Sequence, residues 1–393
     1  MSKGGRYLKT EVPAKKKKRT SAIILIVLIV ILLIAVIGVG IGIKFYNSKL
    51  DLITRPEVEH KNPSQEEIDS IMTYVPEDAV IYDATESTEE PTTEPVPETT
   101  EDPTAWEPGK LGQVVNILLV GQAARDVEAG KLADAIILFT VNKETKQLTI
   151  TSFPRDSYVK LPNYVDSSGT KHSCGNQRIN VNYALGYSWG GTLDAMGMLN
   201  QCIYENYGAI VDYNVELDFY SFIEIIDLLG GVSIDLTEEE AYHMTNELYD
   251  VGTFEPGEQV LTGTQTLHYC RIRKIDSDMA RGNRHKNVIK SVIEKLKGMS
   301  LKEINDLIDQ ILPKIITNMS NDDITNCILE LLPLLPKLEI VSNQCPAEGT
   351  YSGQIVEIYG VNSGVLVPNL QKNRELLTAI TEADVLKEAE GSN

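Results

Sequence analysis

The longest uninterrupted apolar run in the chain, residues 22–43, contains no charged side chain. As a helix rising about 1.5 Å per residue it would be ~33 Å long, roughly the thickness of one bilayer core. That is longer than the apolar core of a cleaved signal peptide, so the pattern predicts a single retained transmembrane helix. Beyond residue 110 the apolar stretches are shorter and switch between two periods. Residues 114–120 read as a buried strand ending at Gly121. Residues 135–141 and 147–153, joined by a polar turn at 142–146, read as a hairpin. Helical spacing is predicted for 192–206, where Leu193, Met196, Leu199, Cys202 and Ile203 share a face. It is also predicted for 219–229, stopped by Gly230-Gly231, and for 261–269, 284–297, 301–316, 323–332 and 369–380. Short strands are expected at 213–217 and 232–236, a closing hairpin at 355–366, and a long polar loop at 154–176. Strands and helices interleave, so the predicted class is α/β, with a central mixed β-sheet flanked by helices behind an N-terminal transmembrane helix.

Charge divides the chain further. The 393 residues carry a formal net charge of −20, unevenly spread. The first nineteen hold eight Lys/Arg and one Glu, ahead of the apolar run. By the positive-inside rule this keeps the N-terminus cytoplasmic and sends the C-terminal domain outside the cell membrane. Between Asn62 and Gly109 there are fourteen Asp/Glu and no Lys or Arg. The Thr/Glu/Pro-rich part of this stretch reads as a disordered, self-repelling spacer. The predicted organisation is a basic tail over 1–21, the anchor over 22–43 and a membrane-proximal segment over 44–83 with a short helix near 65–72. A linker over 84–110 and an extracellular domain over 111–385 complete it. An acidic main domain excludes generic nucleic-acid binding, which needs a basic surface. Cys174, Cys202, Cys270, Cys327 and Cys345 lack metal-ligand spacing. In an exported domain they could form one or two disulfides, or remain small buried core residues.

Against this acidic background the arginines are concentrated. No Lys or Arg occurs from Ile179 to Cys270, yet the next fifteen positions hold Arg271, Arg273, Lys274, Arg281 and Arg284. Guanidinium is permanently charged, and its planar fork of donors matches phosphate oxygens. Further charged residues cluster at strand ends: Gly121 to Asp126 with Arg125, Leu132-Ala133-Asp134, Ser152-Phe153-Pro154-Arg155-Asp156, and Arg178-Ile179-Asn180. Ligands of open α/β sheets gather at loops beyond strand ends. The predicted hairpin would bring Asp134 close to Arg155 and Asp156 around one pocket. Arg271 and Arg273, two apart, would face the same way in an extended run. Arg281 and Arg284, three apart, would share a helix face.

These segments, in order, resemble the LytR-CpsA-Psr family of cell-wall polymer ligases. The resemblance rests on Asn116-Ile-Leu-Leu-Val-Gly121, Asp134 before an apolar strand, Ser152-Phe-Pro-Arg-Asp156 and Arg178-Ile-Asn180. It continues in Asp227-Leu-Leu-Gly-Gly-Val232 and in Tyr269-Cys-Arg-Ile-Arg-Lys-Ile-Asp-Ser-Asp278 with Arg281 and Arg284. The family's fold is a mixed sheet flanked by helices with a tunnel for a polyprenyl chain. The resemblance implies a membrane-anchored extracellular phosphotransferase that attaches a glycopolymer, teichoic acid- or capsule-like, from a polyprenyl pyrophosphate carrier to peptidoglycan. It further implies that Arg155, Arg271 and Arg273 hold the pyrophosphate, with Arg125, Arg281 and Arg284 in support. Asp134 would be one of two Mg2+-site aspartates, and Asp134, Arg155 and Asp156 form the expected catalytic group. Ala123 and Leu132 stand where the family usually has Asp and Arg, and His285 where it has Gln. Losing a carboxylate weakens a Mg2+ site, since this ion favours carboxylate and phosphate oxygens. A catalytically weakened polyprenyl-phosphate-binding wall or regulatory protein is therefore the alternative.

Overall fold

In the computed structural model the described residues run from 49 to 381, apart from 60, 62, 74–110, 123–130, 247–251, 273–274, 276–277, 298, 300, 332–333 and 335–336. The elements in chain order are α1 (Gln65–Thr73), β1 (Val114–Gln122), β2 (Ala133–Asn142), β3 (Gln147–Phe153), β4 (Tyr158–Lys160), β5 (Tyr164–Val165), β6 (Lys171–His172) and β7 (Asn176–Arg178). Then follow α2 (Ile179–Tyr207), β8 (Tyr213–Asp218), α3 (Phe219–Leu228), β9 (Val232–Leu236), α4 (Glu238–Asn246), β10 (Gly257–Leu261), α5 (Gly263–Arg271) and α6 (Asp278–Lys297). The chain continues through α7 (Leu301–Ile311), a 3-10 turn (Leu312–Lys314), β11 (Ile316–Thr317), α8 (Asn321–Leu331), β12 (Glu339–Gln344), β13 (Tyr351–Ile358), β14 (Val361–Pro368) and α9 (Leu370–Thr381).

The central sheet has the order β11-β8-β1-β2-β3-β12 and is mixed. β1 runs antiparallel to β2 and parallel to β8. β3 is antiparallel to β2 and parallel to β12, and β11 is antiparallel to β8. Side chains alternate across it. Ile117, Leu119, Ile137 and Phe139 pack into a layer with α3, α5 and α6, whereas Leu118, Val120, Ile136 and Leu138 pack against α2. Covering both faces makes these strands continuously apolar, which is why they read as strands from sequence. The start of α2 was not legible. Residues 179–189 are buried almost all round, so no polar stripe marks the helical period. The helix breaks at Gly190-Gly191. Gly191 sits at φ 76°, and a Cβ there would lie 2.6 Å from the Glu59 carboxyl carbon. The predicted loop at 154–176 carries the short strands β4 to β6, and the helix expected over 301–316 ends at Ile311. β12 was missed because it lies at the sheet edge, half exposed and polar.

The boundary expected at residue 111 is corrected. Leu50 and Ile53 are buried in the core layer of α3 and α5. Thr54 forms a parallel bridge to Ile316, extending the sheet beyond β11. Ile71 and Met72 of α1 belong to the layer around α2, and Gln177 Nε2 donates to the Met72 carbonyl at 2.6 Å. Residues 49–73 are thus part of the same folded body as β1. The apolar run at 22–43 and the Thr/Glu/Pro-rich stretch lie outside the described residues. Among the described residues no helix is long and apolar enough to cross a membrane. All five cysteines are free and four of them are buried, which matches the core-residue alternative rather than the disulfides.

Candidate functional site

Four strand ends converge at one end of the sheet. β1 and β3 finish there, β2 begins there, and β8 finishes alongside β1. The register sets Ile136 opposite Phe153, so residues two positions beyond each meet in space. Arg155 Nη1 donates to Asp134 Oδ1 at 2.6 Å. Asp156, 1% exposed, lies with its Oδ1 3.6 Å from Arg178 Nε and 4.0 Å from Arg155 Nε. Arg178, at the end of β7, is equally buried. The backbone ties the two segments together: Asn180 N–H donates to the Arg155 carbonyl, and Ile179 N–H to the Ser157 carbonyl. Buried acids and guanidinium groups are costly unless paired, and this interleaving supplies the pairing.

A cleft opens beside the Asp134–Arg155 pair, lined by Ser152, Phe153 and Pro154 from the end of β3, Gln344 from β12, and Arg281, Gly282 and His285 from α6. α6 begins at Asp278, earlier than the sequence pattern indicated, so Arg281 lies in its first turn, buried at the cleft wall. Burial, reinforced by the neighbouring Arg281, pushes the His285 pKa down to about 3. The imidazole is therefore neutral at physiological pH. Its Nε2 lies 3.2 Å from the Cys270 carbonyl. A carbonyl only accepts, so Nε2 carries the proton and Nδ1 is left as an acceptor.

Not every predicted cation reaches this cleft. Arg284, one helical turn beyond Arg281, is 2% exposed and is held elsewhere. Its Nε donates to Glu240 Oε1 at 2.8 Å and its Nη1 to the Ile272 carbonyl at 2.9 Å, with the guanidinium above the Tyr269 ring. This is a correction to its expected place among the phosphate contacts: Glu240, at the start of α4, captures it. Arg271 is the last residue of α5 rather than part of an extended run, and its guanidinium lies 5.3 Å from the Phe219 ring centre. Arg125, Arg273, Ala123 and Asp126 lie outside the described residues.

Leu132, where the family has Arg, is buried in the layer around α2. A cation does occur one position earlier. Lys131 Nζ lies 3.6 Å from Glu216 and 4.3 Å from the Tyr187 ring centre. Glu216, on β8, also accepts a hydrogen bond from the buried Tyr183 hydroxyl. Burial raises the Glu216 pKa, opposed by Lys131. The sequence does not reveal this cluster or Gln344, and it gives His285 no role, because the members are far apart in the chain. Their one local signal was the position of Lys131 and His285 beside family motifs. For Mg2+ the described residues do not make a site by themselves. They contain no group of three potential metal ligands, and Asp134 is already bonded to Arg155.

Comparison with known proteins adds to this geometry. The model of the LytR_cpsA_psr family matches residues 77–374. The TagU polyisoprenyl-teichoic acid–peptidoglycan teichoic acid transferase of Bacillus licheniformis is 31% identical over 215 residues, 53% of this chain and 61% of that protein. The TagT transferase of Bacillus subtilis, also named for teichoic acid transfer to peptidoglycan, is 26% identical over 245 residues, 61% of this chain and 68% of that protein. The chain thus spans about three fifths to two thirds of these curated relatives. A solved structure described as TagT bound to LIIa-WTA superposes with a TM-score of 0.53 at 24% identity, covering 74% of this chain and 98% of that one, a likeness of fold.

Proposed function

Because the chain belongs to the LytR-CpsA-Psr family, we propose that it is a membrane-anchored extracellular phosphotransferase moving a glycopolymer from a polyprenyl pyrophosphate carrier onto a peptidoglycan hydroxyl. The observation that carries this reading is the Asp134–Arg155 pair, bonded at 2.6 Å beside a cleft whose other wall holds Arg281 and a neutral His285. The names of the TagU and TagT relatives support the choice of glycopolymer and acceptor. In the reaction the acceptor hydroxyl oxygen attacks the phosphorus next to the glycan. A new P–O bond forms, the bond to the bridging pyrophosphate oxygen breaks, and polyprenyl phosphate leaves. Such a transfer needs charge neutralisation and alignment more than covalent help.

Arg155 and Arg281 supply the charge, with Arg271, Arg273 and Arg125 as further cations along the carrier. Asp134, at the cleft, takes the hydroxyl proton. Asp156 is enclosed between Arg155 and Arg178, so it is a positioning residue for Arg155. Arg284 acts indirectly, by fixing Ile272 at the end of α5. Mg2+ would supply further neutralisation of the pyrophosphate, but the fit is incomplete in the described residues and no step depends on it here.

One observation favours the alternative of a binding protein with weakened turnover: Leu132 is packed in the core, and the nearby cation Lys131 is engaged by Glu216. The test is transfer of labelled glycan from polyprenyl pyrophosphate to peptidoglycan fragments by the full chain. Transfer that is lost in Arg155→Ala is the expected result. Retained binding of polyprenyl pyrophosphate with no transfer would replace the enzyme by the alternative.

A further inference from the structure

The strand register fixes where the N-terminal part of the chain joins the body. β8 runs toward the cleft end of the sheet, finishing at Asp218. β11 runs antiparallel to it, hence away from that end. Thr54 pairs in parallel with Ile316 of β11, so the residues before Thr54 lie toward the cleft end. Lys49 is held there by an ion pair to Asp309 at the end of α7, and Leu50 is fully buried. The apolar run stops at Ile43. The six residues 44–49 can span at most about 20 Å when fully extended, whereas β1 alone is ~30 Å long at about 3.3 Å per residue.

From this we propose that the cleft end of the central sheet sits directly on the lipid bilayer holding the chain's own N-terminal segment, docked through a patch that includes Leu52 and Tyr220. The proposal rests on the reading of residues 22–43 as a membrane anchor. Leu52 is 41% and Tyr220 69% exposed, both large for apolar or aromatic side chains. Tyr220 lies in the first turn of α3, immediately beyond the end of β8. Glu224, one turn further on, pairs with Lys314 just before β11, the strand that Thr54 bridges two residues after Leu52. Exposed tyrosine and long lysine side chains with amphipathic stems suit the headgroup layer.

Two consequences follow for the chain's layout. The Thr/Glu/Pro-rich stretch cannot be the spacer between membrane and domain, because Met72 before it and Leu111 after it are both buried in the same body. A carrier lipid would reach the arginine cleft from the bilayer without leaving it, since the cleft opens at the membrane-proximal end.

The test uses the full chain in vesicles whose acyl chains carry bromine, a short-range quencher of tryptophan. Single substitutions Tyr220→Trp and Leu52→Trp report on the cleft end. Thr145→Trp reports on the opposite end, where Thr145 is exposed in the turn between β2 and β3. Each is read against the parent chain, which supplies the Trp106 and Trp189 background. The expected result is that the added emission at 220 and 52 is largely lost in brominated vesicles and that at 145 is unchanged. Flotation with vesicles after alkaline washing checks the anchor separately. A chain that fails to float removes the anchor and this proposal with it. A chain that floats, with 220 and 52 quenched no more than 145, overturns the docking orientation alone.

Discussion

The two ends of the central sheet are stabilised by different chemistry. At the end away from the cleft, polar groups close on one another. Thr140 donates to Asn116 Oδ1 at 2.8 Å, Asn116 Nδ2 donates to the Thr381 carbonyl, and Asn200 and Asn214 exchange two amide hydrogen bonds. These buried groups are mostly neutral and have partners inside the fold. At the cleft end the buried groups are charged: Arg155 with Asp134, Arg178 beside Asp156, and Lys131 with Glu216. Neutral amides hold a structure at small electrostatic risk, whereas charges in low dielectric are worth their desolvation chiefly where a charged ligand completes them. The contrast recurs within α6, where Arg281 borders the cleft and Arg284, three residues on, is fixed by Glu240.

The comparison is broken most directly at Arg284. If its role is structural, Arg284→Ala leaves Glu240 charged and buried without its partner. The expected loss is about 3–5 kcal/mol of stability, read from denaturant unfolding. Adding Glu240→Gln should recover part of it. An unchanged midpoint with impaired carrier binding would instead return Arg284 to the site. Next in size, Arg155→Ala should lower transfer by about 10²–10³-fold, on the order of removing one electrostatic donor at a reacting centre. Its thermal midpoint should move less than that of Arg284→Ala.

The smallest effect concerns the far end, where Asp212 departs from the neutral pattern. Its Oδ2 accepts from Asn116 N–H at 2.6 Å, yet burial outweighs that bond and raises its pKa from 3.8 to about 6. The folded pKa therefore lies above the unfolded value. The stability linked to this proton is fully present below about pH 4 and is lost as pH rises through 6. Thermal midpoints across pH 4 to 8 should fall less steeply in Asp212→Asn than in the parent chain. An identical slope in both would mean the carboxylate is well solvated after all.

Much of this was legible in the sequence because it was local. The hairpin of β2 and β3 followed from two alternating runs around a polar turn, and it brought Asp134 to Arg155 as expected. The helix stop at Gly230-Gly231 was equally plain, both residues taking positive φ. What sequence could not convey was which partner each charge would choose. Arg284 looked like Arg281 until α4 placed Glu240 against it, across 44 residues. The first half of α2 was hidden by burial on all sides, which erases the period that identifies a helix. Residues 49–73 read as lying outside the domain because an acidic, low-complexity stretch separates them from β1, although Leu50 and Met72 are both buried.

The bridge between Thr54 and Ile316 also has a protective side. β11 would otherwise end the sheet with unpaired backbone donors and acceptors, the kind of edge on which chains template one another. The residue that covers it is supplied by the segment leading from the apolar run, with Leu50 and Ile53 filling the hydrophobic layer beneath. A version of the chain begun at Leu111 would keep every arginine and aspartate of the cleft. It would also expose a strand edge and an emptied apolar hollow side by side, a surface prone to self-association.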